Sequence, residues 1–292
     1  MKKYRMSVFI ICIMVFNLLA FDLPVQEKET IKKTLSFSAP SGSKEVIVDN
    51  LFGSIDVEGY NGKDVQVVIQ KTIHAITQKR VGKAKREVWL EISEEDNIIE
   101  LFVDAPYRCH ERSVGCKGRR SYGYKVTYDF RLKVPYDTSI YLRTLSDGEI
   151  KVERVIGNYD IKNINGGIEF SGAEGSGRVY AVNGKVKITF SKNPESDSYF
   201  GTINGDVELV FRSPLSANFQ IKSIYGEAYS DFLVEYINKS VPVEVRKKGK
   251  YVYKSDRSVY FRVGDGGPKI ELDTLTGDIL IRKRNNREGG MK

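Results

Sequence analysis

The sequence is poor in the residues that carry most enzyme chemistry. Among 292 residues there are two histidines, His74 and His110, three cysteines and one tryptophan. With so few histidines, a serine or cysteine triad is available only in principle. No Gly-x-Ser-x-Gly elbow, phosphate-cradling glycine loop or dinucleotide fingerprint occurs. The calcium-binding nonapeptide is missing too, since Asp147, Asp206 and Asp278 flank glycines singly. They read as turn residues. After residue 20, no apolar run is long enough to span a bilayer. Proline is scarce at 8 residues. No catalytic residue, metal site or cofactor is predicted.

Acidic residues are the minority, 38 against 46 basic, giving a net charge of +8. Three of the cations, Lys2, Lys3 and Arg5, precede an apolar run over 6–20 that is short for a membrane span. Leu18 and Ala20 suit the −3 and −1 positions of a cleavage site. Residues 1–20 therefore read as a secretory signal, with an uncleaved membrane anchor as the alternative. Removing it leaves +5. The remaining excess gathers at 246–250 (RKKGK) and 282–284 (RKR). Such clusters usually form a solvated face. The sharper reading is attraction to an anionic surface, with Arg246, Lys247, Lys248 and Lys250 as candidate binding residues. No nucleic-acid motif is present.

Cys12 would leave with the signal, and Cys109 and Cys116 would remain in an oxidising compartment. A disulfide between them is expected. A metal site using Cys109, His110 and Cys116 is the rival reading, but zinc takes about four ligands and the other histidine, His74, lies in a strand-like run.

What the chain has in plenty is glycine (26), tyrosine (17) and phenylalanine (14), a mixture that favours strands and turns. Residues 21–43 read as an entry segment with one strand over 34–38. Strands follow near 46–48, 54–59 and 64–73, and a polar basic stretch over 76–87 reads as one short helix. A hairpin over 89–103 and an alternating strand over 124–134 come next. After Pro135 the pattern becomes periodic. An apolar-x-apolar strand, a short turn ending in glycine and a second alternating strand recur. Gly148, Gly166 and Gly184 stand 18 residues apart, and Gly205 and Gly226 follow at 21. A long insertion separates Gly226 from Gly277.

Strands of this length cannot bury their inner face alone, whereas stacked copies make one apolar column. Glycine accepts the positive φ of a sharp corner. The apolar residue before each turn (Leu145, Ile164, Val182, Ile203, Ile224, Leu275) is expected to point into that column, as are those after it, such as Ile150, Ile168, Val186, Val207 and Ile279. Ordinary antiparallel hairpins are the alternative. The even spacing favours an all-β, single-chain β-solenoid or β-helix of Asn-Gly-punctuated strand repeats, with an N-terminal β-rich section and one short helix.

The chain resembles the bacterial DUF4097 family, whose members are labelled putative adhesins. The resemblance runs over about 44–283. It rests on the opening VDNLFGSIDV at 48–57, the YDFRLKVP entry at 128–135 and the Thr/Ile-x-Asn-Gly-x-Val ladder that follows. Phe52, Tyr225 and Thr276 depart from the ladder where Asn would stand, and Cys109 and Cys116 are additions. The resemblance implies a β-solenoid-like fold in exported or membrane-tethered proteins and no enzymatic activity. The organisation expected is a signal at 1–20, an entry segment at 21–43, a putative adhesin domain at 44–283 and a basic tail at 284–292. Within the domain, 44–135 is the β-rich section and 136–283 holds the repeats. The expected role is a non-enzymatic exported envelope or surface protein, periplasmic or at the cell surface. Its partner would be an anionic envelope component, a glycan or a protein. Two alternatives stand beside it: an exported carbohydrate-active enzyme using Glu149, Glu169 and Glu208 beside Lys151 and Lys187, and a structural partner in an envelope complex. Gly53, Gly148, Gly166, Gly184, Gly205, Gly226 and Gly277 are expected as structural turn glycines.

Overall fold

The structure is a computed structural model that describes residues 24–39, 42–109, 113–114, 122–237, 243–247, 250–254 and 258–284. It is all-β apart from one helix, Gln78–Glu87, among the described residues. Two large open sheets, of ten and eleven strands, carry nearly all of it.

Seven strand–turn–strand units alternate between the sheets. In each unit a strand of the eleven-stranded sheet turns at a glycine and continues as a strand of the ten-stranded sheet. Lys44–Asp49, Thr138–Thr144, Tyr159–Asn165, Gly177–Asn183, Ser198–Asn204, Lys269–Thr276 and Ala217–Ser223 stack in that spatial order, all parallel. Their continuations, from Ile55–Tyr60 through Ile279–Lys283 to Ala228–Ser230, stack the same way in the other sheet. Period-2 alternation decides which side chains are buried. Ile150 and Val152, Ile168 and Phe170, and Val186 and Ile188 point inward, and the residues between them do not. A file of rings lies in the core. Phe190 and Phe211 stack at 4.9 Å, Phe211 meets Phe219 edge-on at 5.9 Å, and Phe219 stacks on Phe261 at 5.1 Å.

The spatial order is not the chain order. The unit at 269–283, last in sequence, sits between the unit at 198–211 and the unit at 217–230. Strand Val259–Val263 runs antiparallel along one edge of Ala217–Ser223, and Lys269–Thr276 runs along the other. The connection between them, 264–268, therefore crosses over the start of Ala217–Ser223. It does so on three glycines. At Gly264, with φ +59°, a Cβ would lie 2.6 Å from Ser216 Oγ and 2.7 Å from the Leu215 carbonyl oxygen. Asn218 Nδ2 holds the crossing by donating to the Gly267 carbonyl at 2.7 Å.

Residues between Tyr60 and Thr138 extend both sheets at the opposite end. Tyr124–Pro135 pairs with Ile55–Tyr60 and with Asp64–Ala75. Val25–Ser36 then forms the outer strand of that sheet. This strand is much longer than the 34–38 segment read from the sequence. Its Leu35 is buried and most of its other side chains are polar and exposed, so it carries little alternation. Such charged edges resist pairing with other chains. The helix is capped by Thr77, whose Oγ1 accepts from the Arg80 amide, and it buries Val81 and Ala84.

Two sequence expectations need correction. The turn glycines do not share a positive φ: it occurs at Gly53, Gly166, Gly205 and Gly277 but not at Gly148, Gly184 or Gly226. What they share is contact with the neighbouring unit's backbone. A Cβ on Gly184 would lie 2.2 Å from the Gly166 carbonyl oxygen, and one on Gly205 2.4 Å from that of Gly184. Gly277 meets Gly205 in the same way, and Gly226 meets Gly277.

The second correction concerns the apolar residue two or three positions before each glycine. Leu145, Ile164, Val182 and Ile203 are only half-buried, and Leu275 and Ile224 are each 38% exposed. They lie outside the core. The inward position belongs to the residue just before them, which is polar in every case except Ala181. Thr144, Thr202 and Thr274 donate through Oγ1 to the carbonyls of Gly53, Gly184 and Gly205, at 2.9, 2.9 and 3.0 Å. Asn163 Nδ2 donates to the Gly148 carbonyl at 3.0 Å, and Ser223 Oγ to that of Gly277 at 3.3 Å. A buried turn carbonyl without a partner is costly, so in these five units this place goes to a hydroxyl or amide and the aliphatic neighbour is turned outward.

Candidate functional site

The two outer faces differ in chemistry. On the ten-stranded sheet, one row of outward positions reads Arg131, Asp56, Lys151, Glu169, Lys187, Glu208 across adjacent strands. Charge alternates at every step. Lys187 Nζ lies 3.7 Å from Glu169, and Lys151 and Lys185 reach Glu149 and Glu208 at 3.3 and 2.5 Å. Opposite charges on neighbouring strands support the sheet. The residues of the enzyme alternative are all here. Glu149 does not share the register of the other two, because Lys151 pairs with Glu169 in the sheet. Glu169 and Glu208 are separated by Lys187, so these two do not stand side by side to share acid and base work.

The eleven-stranded sheet presents something else. Its outward row nearest the turns is Leu145, Ile164, Val182, Ile203, Leu275 and Ile224 in spatial order. On the turn side runs a file of amides. Asn183 Nδ2 donates to Asn165 Oδ1 at 2.8 Å, and Asn204 Nδ2 to Asn183 Oδ1 at 2.7 Å. On the strand side the next outward row is Arg143, Lys162, Tyr180, Gly201, Asp273 and Lys222. Beyond it, the Arg178 guanidinium lies over the Tyr199 ring at 4.3 Å. Burial pushes the Tyr199 phenol up to about 12, with the Asp273 charge adding to it. Asp273 is itself raised above the usual carboxylate range, because burial outweighs the attraction of Lys222.

At the Leu145 end the row opens into a cleft of about 320 Å³, bounded by Asp49, Asn50, Arg108, Arg143, Thr144, Leu145, Lys162 and Ile164. Three cations face one carboxylate. The floor is rigid: Arg108 and Asp49 side chains are 5% and 8% exposed and meet at 3.1 Å. Arg108 Nε also donates to the Val103 carbonyl at 2.7 Å, and its guanidinium lies 4.3 Å from the Phe102 ring centre. Asn50 Nδ2 donates to the Tyr128 carbonyl at 2.8 Å. Arg143 is different, being 45% exposed and touching Asp49 with one nitrogen at 3.7 Å. Lys162 is occupied by Asp160 at 2.9 Å. A second, smaller hollow adjoins this one and shares Asp49, Arg143 and Lys162.

The basic candidates named from the sequence lie elsewhere. Arg246 and Lys247 end the strand Val243–Lys247, which pairs with Lys250–Lys254. Their side chains, that of Lys250 and all of Lys248 lie outside the described residues, as do residues 1–23 and the expected Cys109–Cys116 disulfide. The cleft residues went unmarked in the sequence because Asp49, Arg108, Arg143 and Lys162 come from four separate strands. Among the described residues no group of three metal-binding side chains gathers, and no helix is long and apolar enough to cross a membrane.

No protein-family profile matches the chain, and none of the curated proteins matches it. Among solved structures, a putative cell adhesion protein from Clostridium sporogenes is similar over 90% of this chain and 100% of its own, at a TM-score of 0.41 and 13% identity. A putative adhesin from Bacteroides fragilis is similar over 88% of this chain and 97% of its own, at a TM-score of 0.29 and 10% identity. Likeness of this degree fixes neither fold nor ligand.

Proposed function

We propose that the chain is an exported, non-enzymatic binding protein of the bacterial cell envelope, a β-solenoid of the DUF4097 type. On this reading 44–283 is the solenoid domain, 1–20 a secretory signal, and Cys109 and Cys116 a disulfide formed after export. The stacked strand–turn–strand units and their file of glycines support the solenoid. The insertion of the last unit before its predecessor makes it a solenoid whose final turn is laid down out of order.

The observation that carries the binding role is the contrast of the outer faces. One neutralises itself with alternating charges, and the other keeps aliphatic and tyrosine side chains at its surface beside a cationic cleft. Contiguous exposed apolar surface on a folded protein marks an interaction site. The test is binding of the chain from Phe21 onward to fractionated cell envelope and to a glycan panel, with product analysis on the same panel. Retention without product release is expected. Release of cleaved product would replace this reading with the enzyme alternative, and absence of retention would remove the binding role.

A further inference from the structure

The aliphatic row on the eleven-stranded sheet has a width, a length and a polarity, and together they specify an occupant. It is one side chain wide, held between the amide file of Asn165, Asn183 and Asn204 and the row that begins with Arg143 and Lys162. A stable protein interface takes about 800 Å² from each partner. A single file of six aliphatic side chains, four of them half-buried, exposes far less, so neither a second copy nor another folded protein fits it. Its length does suit a linear molecule. Neighbouring strands lie about 4.8 Å apart, so the six positions span roughly 24 Å. The acyl chains of one leaflet fill about 15 Å, half of the hydrocarbon core of a bilayer, so one chain would cover about four of the six positions.

The ends of the row differ in charge. Leu145 and Ile164 line the cleft that holds Arg108, Arg143 and Lys162 against the one carboxylate of Asp49. Arg108 is consumed by that carboxylate and Lys162 by Asp160, while Arg143, 45% exposed and held at 3.7 Å, keeps donors to spare. At the far end Leu275 and Ile224 are flanked by Asp273 and Lys222, which neighbour each other in the sheet. Only the Leu145 end has cationic surplus.

We propose that this row binds one acyl chain of a single-chain anionic amphiphile, with the anionic headgroup at Arg143 and the hydrocarbon laid along Ile164, Val182 and Ile203. The proposal rests on the binding role above and names its ligand class. The probe is palmitate below its aggregation concentration, with the full chain after signal removal, followed by calorimetry. Saturable binding of one palmitate per chain is expected. The double variant Val182→Thr/Ile203→Thr keeps β-branched residues in both strands and should lower affinity at least tenfold with the melting temperature nearly unchanged. Arg143→Gln should lower palmitate affinity several-fold and leave hexadecanol, which has the same chain and no charge, unaffected. No saturable binding, or unchanged affinity in the double variant, overturns the proposal. So does capture of phosphatidylglycerol vesicles without uptake of monomeric palmitate, which would assign the face to a membrane surface. In each of those cases retention on cell envelope would keep the binding role, and its loss as well would remove both.

Discussion

The two outer faces are built on the same backbone and obey different rules. Most of the stacked strands in both sheets alternate inward and outward side chains, and the inward sets are alike in being mostly aliphatic and aromatic. Outward, the ten-stranded sheet carries a row from Arg131 to Glu208 in which each charge neighbours its opposite on the next strand. The eleven-stranded sheet stacks like on like: aliphatic on aliphatic, amide on amide, and Tyr180 beside Tyr199 at 6.3 Å. The first arrangement neutralises its own charges along that row. The second leaves apolar surface that the chain itself does not cover. The difference teaches that regular stacking amplifies a choice. One position, copied from unit to unit, becomes a property of a whole face.

The comparison breaks most completely where the two sheets meet. Gly184→Ala places a methyl group 2.2 Å from the Gly166 carbonyl oxygen, so the units must separate at that level. A loss of more than about 3 kcal/mol in a denaturant titration is expected, a magnitude that belongs to backbone clashes in packed structure.

The next effect separates buried from exposed charge. Arg108→Ala leaves buried Asp49 with only the looser contact to Arg143 at 3.7 Å and should cost about 3 kcal/mol. Lys187→Ala, on the self-neutralising face, should cost no more than about 1 kcal/mol, because its pair is screened by water. Equal costs in urea titrations would mean that the cleft floor is no more rigid than the charge ladder.

The orientation of the aliphatic row is tested within one strand. Ile161→Ala removes an inward, fully buried side chain and should cost about 2–5 kcal/mol. Ile164→Ala, three residues on and facing outward, should cost about 1 kcal/mol or less, the worth of cross-strand contacts. Reversing the charge ladder with Lys187→Glu sets it between Glu169 and Glu208. A loss near 1 kcal/mol is expected, and raising the salt concentration should shrink it.

The smallest effect is one of sign. Asp273 has a raised pKa in the folded protein, so its ionised form is disfavoured by folding. It therefore subtracts stability at neutral pH, and the penalty is relieved as pH falls through the folded and then the unfolded pKa. Asp273→Asn should raise the melting temperature slightly at pH 7 and leave it unchanged below the ordinary carboxylate range. The opposite order would place Asp273 in a favourable charge pair.

Much of the architecture was legible in the sequence, for physical reasons that can be named. Strand alternation and evenly spaced glycines report directly on side-chain burial and on turns, so the all-β class, the helix near 78–87 and the repeat register could be read from local pattern. The order of the last two units could not. Gly277 and Gly226 have the same local chemistry, and nothing near either one says which stacks on Gly205. The outward aliphatic row was misread for a related reason. Isoleucine beside a turn looks like core by hydropathy alone, and its neighbour Thr or Asn looks like surface. The order is inverted by the glycine carbonyl below, an acceptor that exists only after the units stack. The cleft was invisible because its cations and its carboxylate are brought together by sheet pairing across 113 residues, from Asp49 to Lys162.

The out-of-order unit also sets a clock. The strands at 217–230 have no neighbour on their inner side until residues 269–283 arrive, about fifty residues later in the chain. At a ribosomal pace of about 5–20 residues per second, that is a delay of roughly 3–10 s. Throughout it, the edge of the unit at 198–211 stays open and the last hydrophobic layer stays unpaired.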